Sequence, residues 1–212
     1  MGKFFSYDSP LIRGINKIVD CVLLSLLWIL FSLPLITFGA SSTALYYTVN
    51  KVIRHDRSHI WREFWGAFKS NFKQATGVWL VVAVFYYLLI ANCLMMYQMS
   101  NIPLLILYLI FLGILIMWTI HLFAHIARFE NKFGAILKNS LFLMVRHCVK
   151  TFSVLIIFVM AVILFLLWPL LGCILPVAYT FMATLLIEPI FRKYMSEEDK
   201  AAEDERNMVY YN

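Results

Sequence analysis

Residues 74–127 read QATGVWLVVAVFYYLLIANCLMMYQMSNIPLLILYLIFLGILIMWTIHLFAHIA and contain no Asp, Glu, Lys or Arg. A helix that crosses a membrane needs about 20 predominantly apolar residues, so this run is long enough for two. The more polar segment 98–103 predicts the turn between them, because its Pro103 suits the first turn of a helix. The run therefore predicts a helical hairpin that crosses the membrane and returns.

Two more uncharged runs, residues 21–50 and 151–187, flank this hairpin in the sequence. The 18 Lys and Arg residues all lie outside the three runs. They form four blocks: Lys3, Arg13, Lys17; Lys51, Arg54, Arg57, Arg62, Lys69, Lys73; Arg128, Lys132, Lys138, Arg146, Lys150; and Arg192, Lys193, Lys200, Arg206. With 62% hydrophobic residues and a mean hydropathy of +0.80, the composition is typical of an integral membrane protein.

Basic loops stay on the cytoplasmic side of a membrane, so each uncharged run is expected to go out and come back. We predict an all-α, polytopic membrane bundle of about six spans. Its three hairpins cover about 18–53, 76–127 and 151–191 in a single membrane domain, 1–194, and both termini are cytoplasmic. The first hairpin has short arms for a bilayer core of about 30 Å. A re-entrant segment around residues 34–39 is therefore the alternative for that hairpin.

Two cytoplasmic amphipathic helices are predicted between the hairpins, at about 58–73 and 130–150. In the first, Trp61, Phe64, Trp65, Phe68 and Phe72 recur at helical spacing on one face, and basic residues occupy much of the remainder. Two interpretations fit this pattern. The helix lies in the plane of the inner leaflet, or its aromatic side chains dock a partner protein.

No catalytic or cofactor constellation is present in the sequence. His121 and His125 lie four residues apart but have no carboxylate in their span, so interhelical hydrogen bonding is expected rather than metal binding. Glu188, beside a span, is expected to pair with Arg192 on the same helix. Walker A, HExxH and GxSxG motifs are absent. We expect no enzymatic activity, no cofactor and no metal.

The formal net charge of +6 is explained by basic loops facing anionic lipid headgroups, so no nucleic-acid partner is expected. The tail, residues 195–212, differs from the rest of the chain because it carries six acidic residues against Lys200 and Arg206. Ser196 and Asp199 have the spacing of a capping box, which predicts a short helix there.

Two strings carry a resemblance to a known family: PLITFGASSTALY at residues 34–46 and FWGAFKSNFKQA at residues 64–75. They resemble the YesL-like family of bacterial integral membrane proteins, a domain of unknown function. Its members are commonly encoded beside carbohydrate ABC importers, which implies a bacterial plasma-membrane location and an accessory role in oligosaccharide uptake. The resemblance implies structural or interaction importance for seven residues: Pro34, Thr37, Gly39, Ser41, Lys69, Asn71 and Phe72.

Our leading hypothesis is a non-enzymatic accessory subunit that contacts the permease or ATPase subunits of a carbohydrate ABC importer. The predicted partner-binding residues are Trp61, Phe64, Trp65, Phe68, Lys69, Asn71 and Phe72. A stand-alone small transporter is the first alternative, although mid-span ionisable groups are absent. A membrane sensor or scaffold that regulates sugar utilisation is the second. The sequence does not determine the oligomeric state.

Overall fold

The structure, a computed structural model, describes residues 10–55, 59–129 and 131–208, and this part of the chain contains no strand. The predicted all-helical membrane bundle is confirmed. In chain order the helices are α1 (Pro10–Ser32), α2 (Phe38–Thr48), α3 (Ile60–Gln98), α4 (Ile102–Arg128), α5 (Phe133–Arg146), α6 (Cys148–Leu167), α7 (Leu175–Lys193) and α8 (Glu197–Met208). Short 3-10 segments at Leu35–Thr37 and Pro169–Cys173 and a π-helix at Val49–Ile53 complete the chain path.

Five of these helices are long and apolar enough to cross a membrane: Gly14–Ser32, Ile60–Gln98, Ile102–Arg128, Cys148–Leu167 and Leu175–Lys193. The expected sixth span is α2, which has 11 residues and continues into the π-helix. Together these 16 residues reach about 24 Å at 1.5 Å per residue, less than a bilayer core of about 30 Å. The described part of the chain therefore has five candidate spans where about six were predicted.

Helix α2 lies at the centre of the bundle instead of facing lipid. It packs against α1, α3, α4 and α7, and eight of its residues are buried. Small side chains allow this close packing. A Cβ atom added at Gly39 would lie 2.6 Å from the Ala75 carbonyl oxygen and 2.6 Å from the Trp79 Cβ. The small residues of the first uncharged run thus form a buried internal helix.

The bundle has two distinct ends. At one, which we call the basic end, α4 finishes at Arg128 and α7 finishes at Lys193. The other, the turn end, carries the α3–α4 turn at residues 99–101 and the Pro169–Cys173 turn between α6 and α7.

Helix α1 runs from the turn end to the basic end. Near its last turn, the Phe31 ring packs 5.8 Å from Phe64 and 5.1 Å from Phe68, at the start of α3. The same helix also packs along α7 and against the Pro169–Cys173 turn. Its 23 residues reach about 34 Å, so the half that meets this turn must be the N-terminal one.

Helix α3 is continuous over 39 residues, or about 58 Å. The sequence predicted a separate amphipathic helix at 58–73, but no proline interrupts residues 60–98 and the helix continues directly into its span. Ser58 itself lies outside the described residues. Helix α5 corresponds to the second predicted amphipathic helix, 130–150, and it ends at Arg146; Glu130 is outside the described residues.

The acidic tail forms α8. The backbone N–H of Asp199 donates to the Ser196 Oγ at 3.1 Å, which confirms the predicted cap at the start of this helix.

Candidate functional site

A polar cavity of about 1130 Å³ opens at the basic end. Its walls come from α2, the first half of α3, the end of α4 and the tail, and they carry amide, hydroxyl and charged side chains. The polar and charged lining residues are Tyr46, Tyr47, Asn50, Lys51, His55, Glu63, Ser70, Asn71, Gln74, Arg128, Asn131, Lys132, Asp199 and Glu203. This volume is slightly larger than the range of about 300–1,000 Å³ that is usual for small-molecule sites.

A buried charge network lies at the base of this cavity. Arg128 forms an ion pair with Glu188 of α7, with 3.3 Å between the Arg128 Nε and the Glu188 Oε2. The Tyr46 hydroxyl of α2 donates to the other Glu188 oxygen at 3.1 Å. Only 4% of the Glu188 side chain is exposed, so the carboxylate depends on these two groups for charge compensation. The network connects α2, α4 and α7.

This arrangement corrects the expected Glu188–Arg192 pair. Glu188 faces the interior, whereas Arg192 is directed outward and binds Asp204 of α8 at 2.9 Å. The partner of Glu188 is therefore Arg128, which lies 60 residues earlier in the chain.

Helix α8 forms the outer wall of the cavity. Its Glu203 carboxylate accepts a hydrogen bond from the Arg128 Nη2, so Arg128 lies between a buried glutamate and a tail glutamate. Asp199 lines the same wall. The acidic tail therefore forms ion pairs with two basic residues of the same chain, Arg128 and Arg192.

A second ion pair lines the α2–α3 side of the cavity. The Lys51 Nζ donates to the Glu63 Oε2 at 2.8 Å and to the Tyr47 hydroxyl at 2.9 Å. Burial acts to lower the pKa of Lys51, but the hydrogen bonds to Glu63 and Tyr47 outweigh it and the net pKa is raised. Lys51 therefore remains charged at neutral pH.

The predicted aromatic face of residues 61–72 has a buried part and an exposed part in the structure. Phe64 and Phe68 are buried in the core against Phe31, so they are not accessible to a partner. Trp61 is 54% exposed and stacks on Trp65 at 6.1 Å.

The remaining predicted partner-binding residues lie along the same helix. The Lys69 Nζ lies 5.0 Å from the centre of the Trp65 ring, and Phe72 is partly exposed. Asn71 points elsewhere: it lines the cavity, and its Nδ2 donates to the Ala67 carbonyl. The accessible surface is therefore a ridge of Trp61, Trp65, Lys69 and Phe72, which we call the aromatic ridge.

The predicted hairpin motif, which comprises Pro34, Thr37, Gly39 and Ser41, lies at the junction of α1 and α2. Thr37 donates to the carbonyl oxygens of Phe31 and Pro34, which closes the turn. The Ser41 and Ser32 hydroxyls lie 2.8 Å apart and tie α2 to α1. These contacts, with the close approach at Gly39, give the motif a structural role.

The two histidines of α4 take part in interhelical and local contacts. The His121 Nε2 lies 2.8 Å from the Thr151 Oγ1 of α6, and the His125 Nε2 lies 3.2 Å from the Asn131 Nδ2. Within the described ranges, no group of three or more His, Cys, Asp or Glu residues could hold a metal ion.

Several cavity residues were not identified from the sequence, among them Tyr46, Arg128, Asn131 and Glu203. One signal was available: Arg128 and Glu188 each stand at the edge of an uncharged run, at the ends of two spans that the predicted topology puts on the same side of the membrane. Oppositely charged groups at that depth are expected to pair.

Residues 21–93 match a family model described as "Protein of unknown function, DUF624". The match covers α2, most of α1 and the greater part of α3, including both strings quoted above. It makes this third of the chain similar to an uncharacterised domain. No curated protein and no solved structure was found to match the chain.

Proposed function

We propose that this protein is a non-enzymatic accessory membrane subunit that associates with a carbohydrate ABC importer. The family match is consistent with the YesL-like resemblance. That resemblance is our reason for naming an ABC importer as the partner. The observation that supports association is the aromatic ridge. Tryptophan is among the residues most enriched at the energetic centre of protein interfaces, and Trp61 is exposed. Lys69 over the Trp65 ring adds a cation–π contact to the same surface.

The position of the ridge also favours a protein partner. Helix α3 is roughly twice as long as a bilayer core is thick, so its first turns extend past the lipid at the basic end. Leu33, Leu35 and Ile36 of the turn after α1 are also exposed, and this turn meets α3 at Trp79, whose Nε1 donates to the Leu35 carbonyl. An apolar surface that adjoins lipid in this way suits a membrane subunit that is itself embedded nearby.

We propose that the basic end is cytoplasmic and that the N-terminus lies outside. The second, third and fourth basic blocks adjoin this end and hold fifteen of the eighteen Lys and Arg residues, which sets the orientation. A chain with five spans has its two ends on opposite sides of the membrane, and the first described residues of α1 are at the turn end. This proposal differs from the expectation that both termini are cytoplasmic, which assumed that α2 crosses the membrane.

The association is tested by purification from native membranes in mild detergent. We expect the importer's permease to be recovered with the wild-type chain. Trp61→Ala should reduce this recovery about tenfold or more, since a central aromatic contributes on the order of 2 kcal/mol to an interface. Tyr97→Ala is the matched control, because Tyr97 is an exposed aromatic at the far end of the same helix. Equal recovery from both variants, or a chain that always purifies alone, would contradict the proposal.

The orientation is tested by cysteine labelling of intact cells. In a variant whose four native cysteines are replaced, single cysteines are introduced at Ser6, Gln98 and Lys138. A membrane-impermeant maleimide should label the first two positions and should label position 138 only after the cells are permeabilised. If position 6 instead behaves like position 138, the N-terminus is cytoplasmic and the five-span topology is wrong.

A further inference from the structure

We propose that the cavity at the basic end binds an anionic group, a phosphate or a carboxylate, on Arg128, in the place that Glu203 of α8 occupies in this structure. This binding site is separate from the aromatic ridge and does not depend on the importer as partner. It follows from the two different carboxylates on Arg128, the charge of the cavity walls and the character of α8.

The two carboxylates on Arg128 are not equivalent. Glu188 lies in the core on α7 and is also hydrogen-bonded by Tyr46, so it is a fixed counter-charge. Glu203 comes from a helix beyond the last span. The guanidinium of an arginine carries five N–H donors, and here the Nε faces the fixed glutamate while the Nη2 binds the tail.

The charge of the cavity depends on the tail. Among the residues that the structure describes, Asp199 and Glu203 supply two of the three acidic groups that line it, and the third, Glu63, is paired with Lys51. Once α8 leaves, the Arg128 Nη2 and the Lys132 ammonium face the cavity without the tail carboxylates. An anion bound to these two cations then restores the charge balance.

Helix α8 has the properties of a displaceable occupant. Its sequence, EEDKAAEDERNM, includes only two alanines and one methionine as apolar residues, so hydrophobic burial contributes little to its docking. Ion pairs link it to the bundle, and the Arg192–Asp204 pair is about half exposed. Exposed pairs of this kind contribute little to stability, because water and salt screen them. Anion binding and α8 docking therefore compete for Arg128, and each weakens the other by the same factor.

The test uses the full-length protein in neutral detergent, with inorganic phosphate as the probe and chloride at matched ionic strength as the screening control. Nitroxide labels at Ala201→Cys and Lys150→Cys, in a variant without native cysteines, report the distance between α8 and the bundle. We expect phosphate, and not chloride, to lengthen this distance. If chloride has the same effect, α8 responds only to ionic screening and the proposal is overturned.

Binding of phosphate measured by calorimetry gives the second readout. Glu203→Gln should bind phosphate about tenfold more tightly, because the competing carboxylate is removed, and Lys132→Gln should bind it more weakly. Lys138→Gln, which changes a lysine on α5 outside the cavity lining, is the matched control and should behave as wild type. An unchanged affinity in Glu203→Gln would overturn the proposal.

Lipid discs distinguish the two sources of phosphate. If α8 moves in discs of phosphatidylglycerol without added phosphate, a lipid headgroup is the ligand. If it moves in phosphatidylcholine discs only after phosphate is added, the ligand is a soluble anion. Both results support the site, and no movement in either disc contradicts it.

Discussion

Replacing Arg128 with methionine is expected to lower the free energy of unfolding by about 3–5 kcal/mol. The substitution leaves the buried Glu188 carboxylate with the hydrogen bond from the Tyr46 hydroxyl but without its ion-pair partner. An uncompensated buried charge is among the most destabilising changes that a single substitution can produce. For a chain of this size the melting temperature should fall by roughly 6–20 °C, measured by tryptophan fluorescence in detergent.

Two variants separate this effect from general disturbance at the basic end. Arg192→Met breaks the exposed pair with Asp204 and should cost at most about 1 kcal/mol. The double variant Arg128→Met/Glu188→Met removes both buried charges and should recover most of the lost stability. If the double variant is no more stable than Arg128→Met, the buried pair is not the reason for the loss.

The helical bundle could be predicted because charge and hydropathy act locally. Residues 74–127 exclude charge over 54 positions, and the structure places the α3–α4 hairpin there. Proline at the first turn of α4 and the cap at Ser196 are likewise local signals, and both are present. Each depends on a few neighbouring residues, which is the information that a single sequence carries most directly.

The number of spans could not be obtained in the same way. The argument from positive charge determines which loops remain inside, but it assumes that every uncharged run goes out and returns. Residues 38–53 do not face lipid, because Gly39, Ala40 and Ala44 let α2 pack inside the bundle. A buried helix and a short span have similar composition, so hydropathy alone did not separate them.

The candidate site depended on contacts between distant parts of the chain. Tyr46 and Glu188 are 142 residues apart, and Arg128 and Glu203 are 75 residues apart. The sequence did single out Glu188 as an ionisable residue beside a span, and it is buried. Its partner was assigned to the same helix because helical spacing is the only neighbour relation that a sequence gives directly.

Replacing Gly39 with alanine is expected to separate α2 from α3 and to lower the free energy of unfolding by about 1–3 kcal/mol. The new methyl group would lie 2.6 Å from a backbone oxygen, and a backbone atom cannot move aside as a flexible side chain can. The higher helix propensity of alanine, about 1 kcal/mol, opposes this loss and does not remove the overlap. Gly39→Val should cost more, since its two γ-carbons need further space.

Gly66→Ala is the matched control for this substitution. Gly66 lies in α3, and a Cβ built there meets no atom within 4 Å, so alanine should raise the stability by up to about 1 kcal/mol. Thermal unfolding of the three variants in one detergent therefore tests whether α2 is in contact with α3 along its backbone. Shifts of opposite sign for Gly39→Ala and Gly66→Ala follow from a buried α2. An increase in both would mean that α2 lies apart from α3, and the central position of α2 would be wrong.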